Sequence, residues 1–224
     1  MSGTGLLILS SILLTGIVTW MALELMGKIA RSRNEPFLEP FRRLAQQFAG
    51  TISNGFFART IDATDGSEFM GHYAGYPFTA TLVIMGSQTL SLSKAGKVFP
   101  SYLSICLNLN QASRFYVGFI NDSSNKVLIG KTFKTGDKEF DQKFSMYTYR
   151  LNPAKRYVAD PRNLGAIQEI YHRGWQINKI GKKSVTASLD FKWGEFDPSM
   201  IEADLVKKCM DQLILLAEGL KRAS

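Results

Sequence analysis

From Ser101 to Asn110 the chain alternates. Leu103, Ile105, Leu107 and Leu109 fall on one side, and Tyr102, Ser104, Cys106 and Asn108 on the other. A period of two predicts a half-buried strand. Lys143–Arg150 (KFSMYTYR) alternates in the same way. Residues 55–63, 69–74, 78–85, 114–120 and 126–129 read as further strands. They are set off by Asp65-Gly66, Gly75-Tyr76-Pro77 and Asn121-Asp122-Ser123-Ser124, all turn formers. Residues 175–180 and 184–193 predict a hairpin through Gly181-Lys182.

Helical spacing appears in three places. Phe37, Phe41, Leu44 and Phe48 recur at four, three and four, with Glu39, Arg42, Arg43 and Gln46 opposite and Gly50 as terminator. Asp160-Pro161 reads as N-cap and first helical position before Leu164, Ile167 and Ile170, with Gly174 at the end. Asp197-Pro198 predicts the start of a long helix with a stripe of Ile201, Leu205, Cys209, Leu213, Leu216 and Leu220. Short strands in consecutive runs, without βαβ alternation, predict an α+β fold. Its sheet is mainly antiparallel and packed with amphipathic helices.

The N-terminus follows neither period. Residues 6–23 (LLILSSILLTGIVTWMAL) carry no charge. As a helix they would rise about 27 Å, close to a bilayer's hydrocarbon thickness. No basic n-region precedes the run and no small-residue cleavage site follows, so the sequence predicts a retained transmembrane helix and not a signal peptide. Lys28, Arg31, Arg33, Arg42 and Arg43 all follow it, which sets the N-terminus outside and the remainder in the cytoplasm. Trp20 and those five cations are the expected membrane-surface residues. Arg33-Asn34-Glu35-Pro36 breaks the helix, giving an anchor with its basic flank over 1–33 and an α+β domain over 34–224. Ser11, Thr15 and Thr19, with Gly16 alongside, form a small polar seam suited to close helix packing in lipid.

Composition excludes more than it assigns. Apolar residues at 45% and charged residues at 21% are the balance of a folded chain. Two Cys cannot build a disulfide framework, and two His at positions 72 and 172 lack any metal-ligand spacing. Cys106 and Cys209 read as small core residues. Gly71 and Gly75 match no phosphate-binding loop. Asp137, Glu139 and Asp141 are acidic but lack the EF-hand pattern. They read as turn-capping carboxylates, with Phe140 and Phe144 anchoring the turn. No catalytic set, metal site or cofactor is expected.

That segment, TGDKEFDQKF, with GHYAGYPF at 71–78 before it and a hairpin and amphipathic helix after it, resembles a loose group of uncharacterised bacterial single-pass membrane proteins with a TGDxxFDxxF motif. The resemblance covers much of 37–220 and implies an N-terminal anchor and a cytoplasmic α+β domain at the inner membrane. It brings no assigned activity and no catalytic residues.

The net charge of +8 calls for an acidic partner. Anionic lipid headgroups are the expected one, met by the flank cations and by a second patch of Lys179, Lys182 and Lys183. Nucleic acid is the runner-up partner, but the tether and the absence of a nucleic-acid-binding motif count against it and the strand-spaced aromatics read as core, so it is not expected. Three functions compete. The leading one is a non-catalytic accessory subunit of a larger inner-membrane complex, respiratory or photosynthetic. It would dock on integral membrane subunits through its single span and cap their cytoplasmic face. The alternative is a membrane-tethered lipid- or small-ligand-binding module with a cavity between sheet and helices. A tethered enzyme stands third.

Overall fold

The computed structural model describes residues 15–21, 24, 38–54, 67–85, 99–121, 130–191 and 197–223. The chain divides into two compact units, residues 1–39 and 40–224.

In the first unit, residues 15–21 are helical and exposed. The expected transmembrane helix is not found. Among the described residues no helix is long and apolar enough to cross a membrane. Seven helical residues rise about 10 Å, a third of what a bilayer requires. The rest of 6–23 lies outside the described residues, as do Ser11, Lys28, Arg31 and Arg33. The 21-residue C-terminal helix, long enough on its own, carries charges on one face and is no substitute. The single-pass membrane description therefore does not carry over to the structure.

The α+β expectation for the remainder does. Among the described residues, nine strands form one sheet, all neighbouring pairs antiparallel. In chain order they are β1 (Gly50–Asn54), β2 (Ser67–Tyr73), β3 (Tyr76–Met85), β4 (Phe99–Asn108), β5 (Tyr116–Asn121), β6 (Lys131–Phe133), β7 (Phe144–Thr148), β8 (Trp175–Gly181) and β9 (Ser184–Asp190). In space the order is β1-β2-β3-β4-β9-β8-β5-β7-β6. Helices α1 (38–47), α2 (Lys138–Lys143), α3 (Leu151–Ala159), α4 (Pro161–His172) and α5 (Ala203–Ala223) accompany it.

Alternation decides which face is buried. Phe69, Ala80, Ile105, Ala187 and Ile177 are register partners on one face and all are at most 2% exposed. Phe78, Leu107, Val185, Ile180 and Val117 form the next buried row. Helices cover this face. Val206, Cys209, Met210, Leu213, Leu216, Ala217 and Leu220 of α5 are buried. Phe48 just after α1 packs edge-on against Phe78 and Tyr73. The other face carries hydroxyls. A single row crosses all nine strands: Thr51, Met70, Thr79, Cys106, Thr186, Lys179, Gly118, Tyr147 and Thr132.

The turn between β2 and β3 clips α5. Ala74 and Gly75 both take positive φ, the geometry of a two-residue hairpin. Tyr73 before it donates to Asp211 at 2.7 Å, and Tyr76 after it donates to Glu218. Asp211 and Glu218 lie two helical turns apart on one side of α5. Lys221 donates to Tyr76 and Glu218, each at 2.9 Å.

Several local expectations shift. Asp197-Pro198 caps a short 3-10 turn, Pro198–Met200, and α5 begins only at Ala203. Gly50 opens β1 instead of closing α1. Lys143–Arg150 splits, because Asp137 starts a short helix that consumes Lys143. Helix α3 went unread in the sequence because Asn152-Pro153 looks like a breaker. The proline occupies the first turn, where no N–H is needed. The expected strands at 55–63 and 126–129 lie outside the described residues. The Arg43 guanidinium is part-buried and donates to the Pro198 carbonyl. Arg42 is exposed.

Candidate functional site

The TGDKEFDQKF segment builds one wall of a groove. Asp137 caps α2, its Oδ1 accepting from the N–H of Glu139 and of Phe140, each at 3.0 Å. Its Oδ2 accepts from Gln168 of α4 at 3.0 Å. Asp141 folds back on the preceding loop. It accepts from the Thr135 N–H at 2.8 Å, the Thr135 hydroxyl at 2.9 Å and the Gly136 N–H at 2.9 Å. Glu139 pairs with Lys143 one turn on, at 2.9 Å. The acidic residues are thus engaged in capping and pairing, as the turn reading expects. Among the described residues no group of three or more His, Cys, Asp or Glu is placed to hold a metal ion.

Capping fixes α2 in the register that turns Phe140 inward. Phe140 is 4% exposed and lies 5.0 Å, ring to ring, from Phe144 at the start of β7. Phe144 stacks on Tyr171 of α4 with centroids 3.9 Å apart. Phe119 closes the cluster 6.2 Å from Tyr171. Burial pushes the Tyr171 hydroxyl far above its ordinary pKa, so it stays neutral.

These rings floor a groove of about 710 Å³ between α2 and α4. Its rim is Glu139, Lys143, Gly165, Gln168, Glu169 and His172. Two ion pairs flank it, Lys143–Glu139 at 2.9 Å and Arg173–Glu169. His172 ends α4, the position its sequence neighbours suggested.

Gly165 is the informative position. It sits mid-helix in α4, with ordinary helical backbone, where glycine costs about 1 kcal/mol relative to alanine. Nothing lies within 4 Å of where its Cβ would be. No packing or turn requirement explains it. It lies on the open side of the groove.

The other groups singled out in the sequence do not converge here. His72 lies on the hydroxyl face of the sheet, exposed. Cys106 lies on that face too, with Thr186 donating to its sulfur at 3.7 Å. Cys209 is buried in α5 and burial pushes its thiol far up. Thr15, Gly16 and Thr19 lie on the 15–21 helix, where the Thr19 hydroxyl donates to the Thr15 carbonyl at 2.8 Å. Trp20 is 65% exposed on that helix. Lys182 and Lys183 form the turn between β8 and β9, and Lys179 lies three residues before Lys182 on β8.

Sequence reasoning missed Gly165 and Tyr171 as groove residues. A glycine inside an otherwise regular amphipathic helix was the signal available.

No family model matches the chain, and no curated protein matches it. The crystal structure of the mycobacterial trehalose monomycolate transport factor A is similar at a TM-score of 0.49 and 10% identity, over 86% of this chain and 96% of that one.

Proposed function

We propose that the domain is a non-catalytic small-ligand-binding module whose site is the α2–α4 groove. The observation that carries this is the groove itself, an aromatic floor of Phe140, Phe144 and Tyr171 beneath a charged rim, with Gly165 on its open side. The volume of about 710 Å³ falls within the range of small-molecule sites. An aromatic floor with a charged rim suits an amphipathic ligand, its apolar body on Phe140, Phe144 and Tyr171 and its polar groups at Gln168, Lys143 and His172. Burial pushes the Tyr171 hydroxyl, in the groove floor, toward its protonated form.

Titration of the full chain with 1-anilinonaphthalene-8-sulfonate and with a dansylated fatty acid tests the reading. One probe should gain fluorescence with the wild type and lose it with Gly165→Trp, which fills the groove from an exposed position. Gly165→Ala should keep binding. Equal fluorescence from wild type and Gly165→Trp with both probes would overturn it.

A further inference from the structure

The face of the sheet opposite the helices holds a second surface, and we infer that it binds single-stranded nucleic acid. Among the described residues no helix packs on it. Its central rows are short side chains, Thr79, Thr81, Ser104, Cys106, Thr186 and Ser188, so the floor is flat. At the β5–β7–β8 end it carries three tyrosines, Tyr116 buried, Tyr147 half-buried and Tyr149 exposed. Tyr116 and Tyr149 meet at 5.0 Å between centroids, and Tyr116 and Tyr147 at 5.9 Å. Tyr149 is 53% exposed. Tyr147 lies across Gly118 of the neighbouring strand, where a Cβ would sit 2.2 Å from its ring.

Cations frame these rings. The Lys182 ammonium stands 5.4 Å from the Tyr116 centroid and 5.9 Å from that of Tyr149. Lys179 is the register partner of Gly118, which in turn partners Tyr147. Lys183 follows in the same turn, Arg150 follows Tyr149, and Arg114 precedes the buried Phe115 beside that turn. None of these five cations has a carboxylate partner among the described residues. The nearest acid on β9, Asp190, is six residues from the turn, about 20 Å along the strand.

Two backbone features put the lysines there. Asn178 is an extra residue in β8, a bulge between Ile177 and Lys179. Without it strict alternation would turn Lys179 toward the core; with it the lysine joins the open face. Lys182 takes φ +54, a left-handed conformation in a two-residue turn that Asn or Gly would occupy with less strain.

Aromatic faces beside unpaired cations fit unpaired bases and their phosphates. A duplex hides its base faces, and the exposed apolar side chain of this face, Met70, lies on β2, five strands away from Tyr116 of β5. The whole net charge also lies in this unit. Before residue 40, Lys28, Arg31 and Arg33 are cancelled by Glu24, Glu35 and Glu39, leaving +8 for the rest.

Fluorescence anisotropy with labelled (dT)15 and the full chain is the test. With about four phosphates neutralised, affinity should fall roughly 50-fold between 50 and 200 mM salt. Lys182→Asn relieves the turn, so it should fold at least as well as wild type yet bind about threefold more weakly or worse, with a shallower salt slope. Tyr149→Ala should weaken binding at least fivefold and Tyr149→Trp should restore it. Lys208→Gln, an equal charge change on α5, and Gly165→Trp in the groove should leave it unchanged. No binding at 50 mM salt would overturn the inference. So would an equal loss with Lys208→Gln, or Lys182-dependent capture by phosphatidylserine vesicles that (dT)15 does not compete away.

Discussion

Two residues show how little freedom the helical layer has. Asn163 is 1% exposed. Its amide donates to the Tyr157 carbonyl at 2.7 Å and its Oδ1 accepts from Arg222 at 3.4 Å. Tyr157 in turn donates to the Leu216 carbonyl at 2.9 Å. This ties α3, α4 and α5 at one point, and Gly219 faces it. A Cβ there would lie 2.1 Å from the Asn163 Oδ1, and the amide cannot retreat without losing its partners. Gly219→Ala should therefore cost about 2–3 kcal/mol, read from urea unfolding. Asp141 is the second case. Its carboxylate satisfies two backbone N–H groups and a hydroxyl. Asp141→Ala should cost about 2 kcal/mol. Asp141→Asn should recover only part, since its amide nitrogen cannot accept from the Gly136 N–H.

At the scale of elements, α4 and α5 invite opposite experiments. In α4 the glycine is unsupported, so Gly165→Ala should raise stability by about 0.5–1 kcal/mol by urea unfolding. A result of the opposite sign would mean that α4 needs the bare backbone for a reason other than the groove. In α5 the buried stripe lies against β4, β8 and β9, and Leu213 is fully buried. Leu213→Asp would place a carboxylate with no partner in the core, and should lower stability by several kcal/mol or prevent folding. Leu205, assigned to the stripe by spacing, is only half-buried, and Val206 takes its place. Cys209, Leu213, Leu216 and Leu220 hold the stripe as spaced, so the difference is confined to the first turn of the helix.

Across the whole domain, charge pairs at the ends of elements set the pH limits of stability. Hydrogen bonds from Tyr76 and Lys221 hold Glu218 below its ordinary value, Arg162 does the same for Asp160, and the Ser199 N–H for Asp197. A carboxylate whose folded pKa is depressed stabilises above its unfolded pKa, and that contribution disappears as pH falls through the folded one. Tyr73 and Tyr76 move the other way, through the hydrogen bond to Asp211 and through burial respectively. Lys207 is raised by Asp211 and Lys221 by Tyr76. Raised groups stabilise below their unfolded values and lose that contribution as pH climbs through the folded ones. With ordinary values of 3.8 and 4.5 on one side and 10.0 and 10.5 on the other, midpoint temperature should be flat from about pH 5.5 to 9 and fall on both flanks. Glu218→Gln should shrink the acid flank and leave the plateau shape intact.

The alternation of Leu103, Ile105 and Leu107 determined by itself which face of β4 is buried, because a period of two leaves a strand no other way to hide its leucines. The α+β class, the β8–β9 hairpin and the capping roles of Asp137 and Asp160 were legible for the same reason, being local patterns of side chain and backbone. An apolar run at 6–23 was equally legible as hydropathy, yet among the described residues no helix is long and apolar enough to span. What the sequence could not hold was anything set by neighbours distant along the chain. Strand order joins β4 to β9 and β5 to β8, and only that order brings Lys179, Gly118 and Tyr147 onto one row with Tyr116 beside it. The bulge at Asn178, which turns Lys179 outward, breaks the very period used to read the strand. Gly165 stood in the sequence as a flaw in a helix. Only the packing of α2 against α4 through Phe140, Phe144 and Tyr171 made it the open side of a groove, because a missing side chain has meaning only where something else has room to enter.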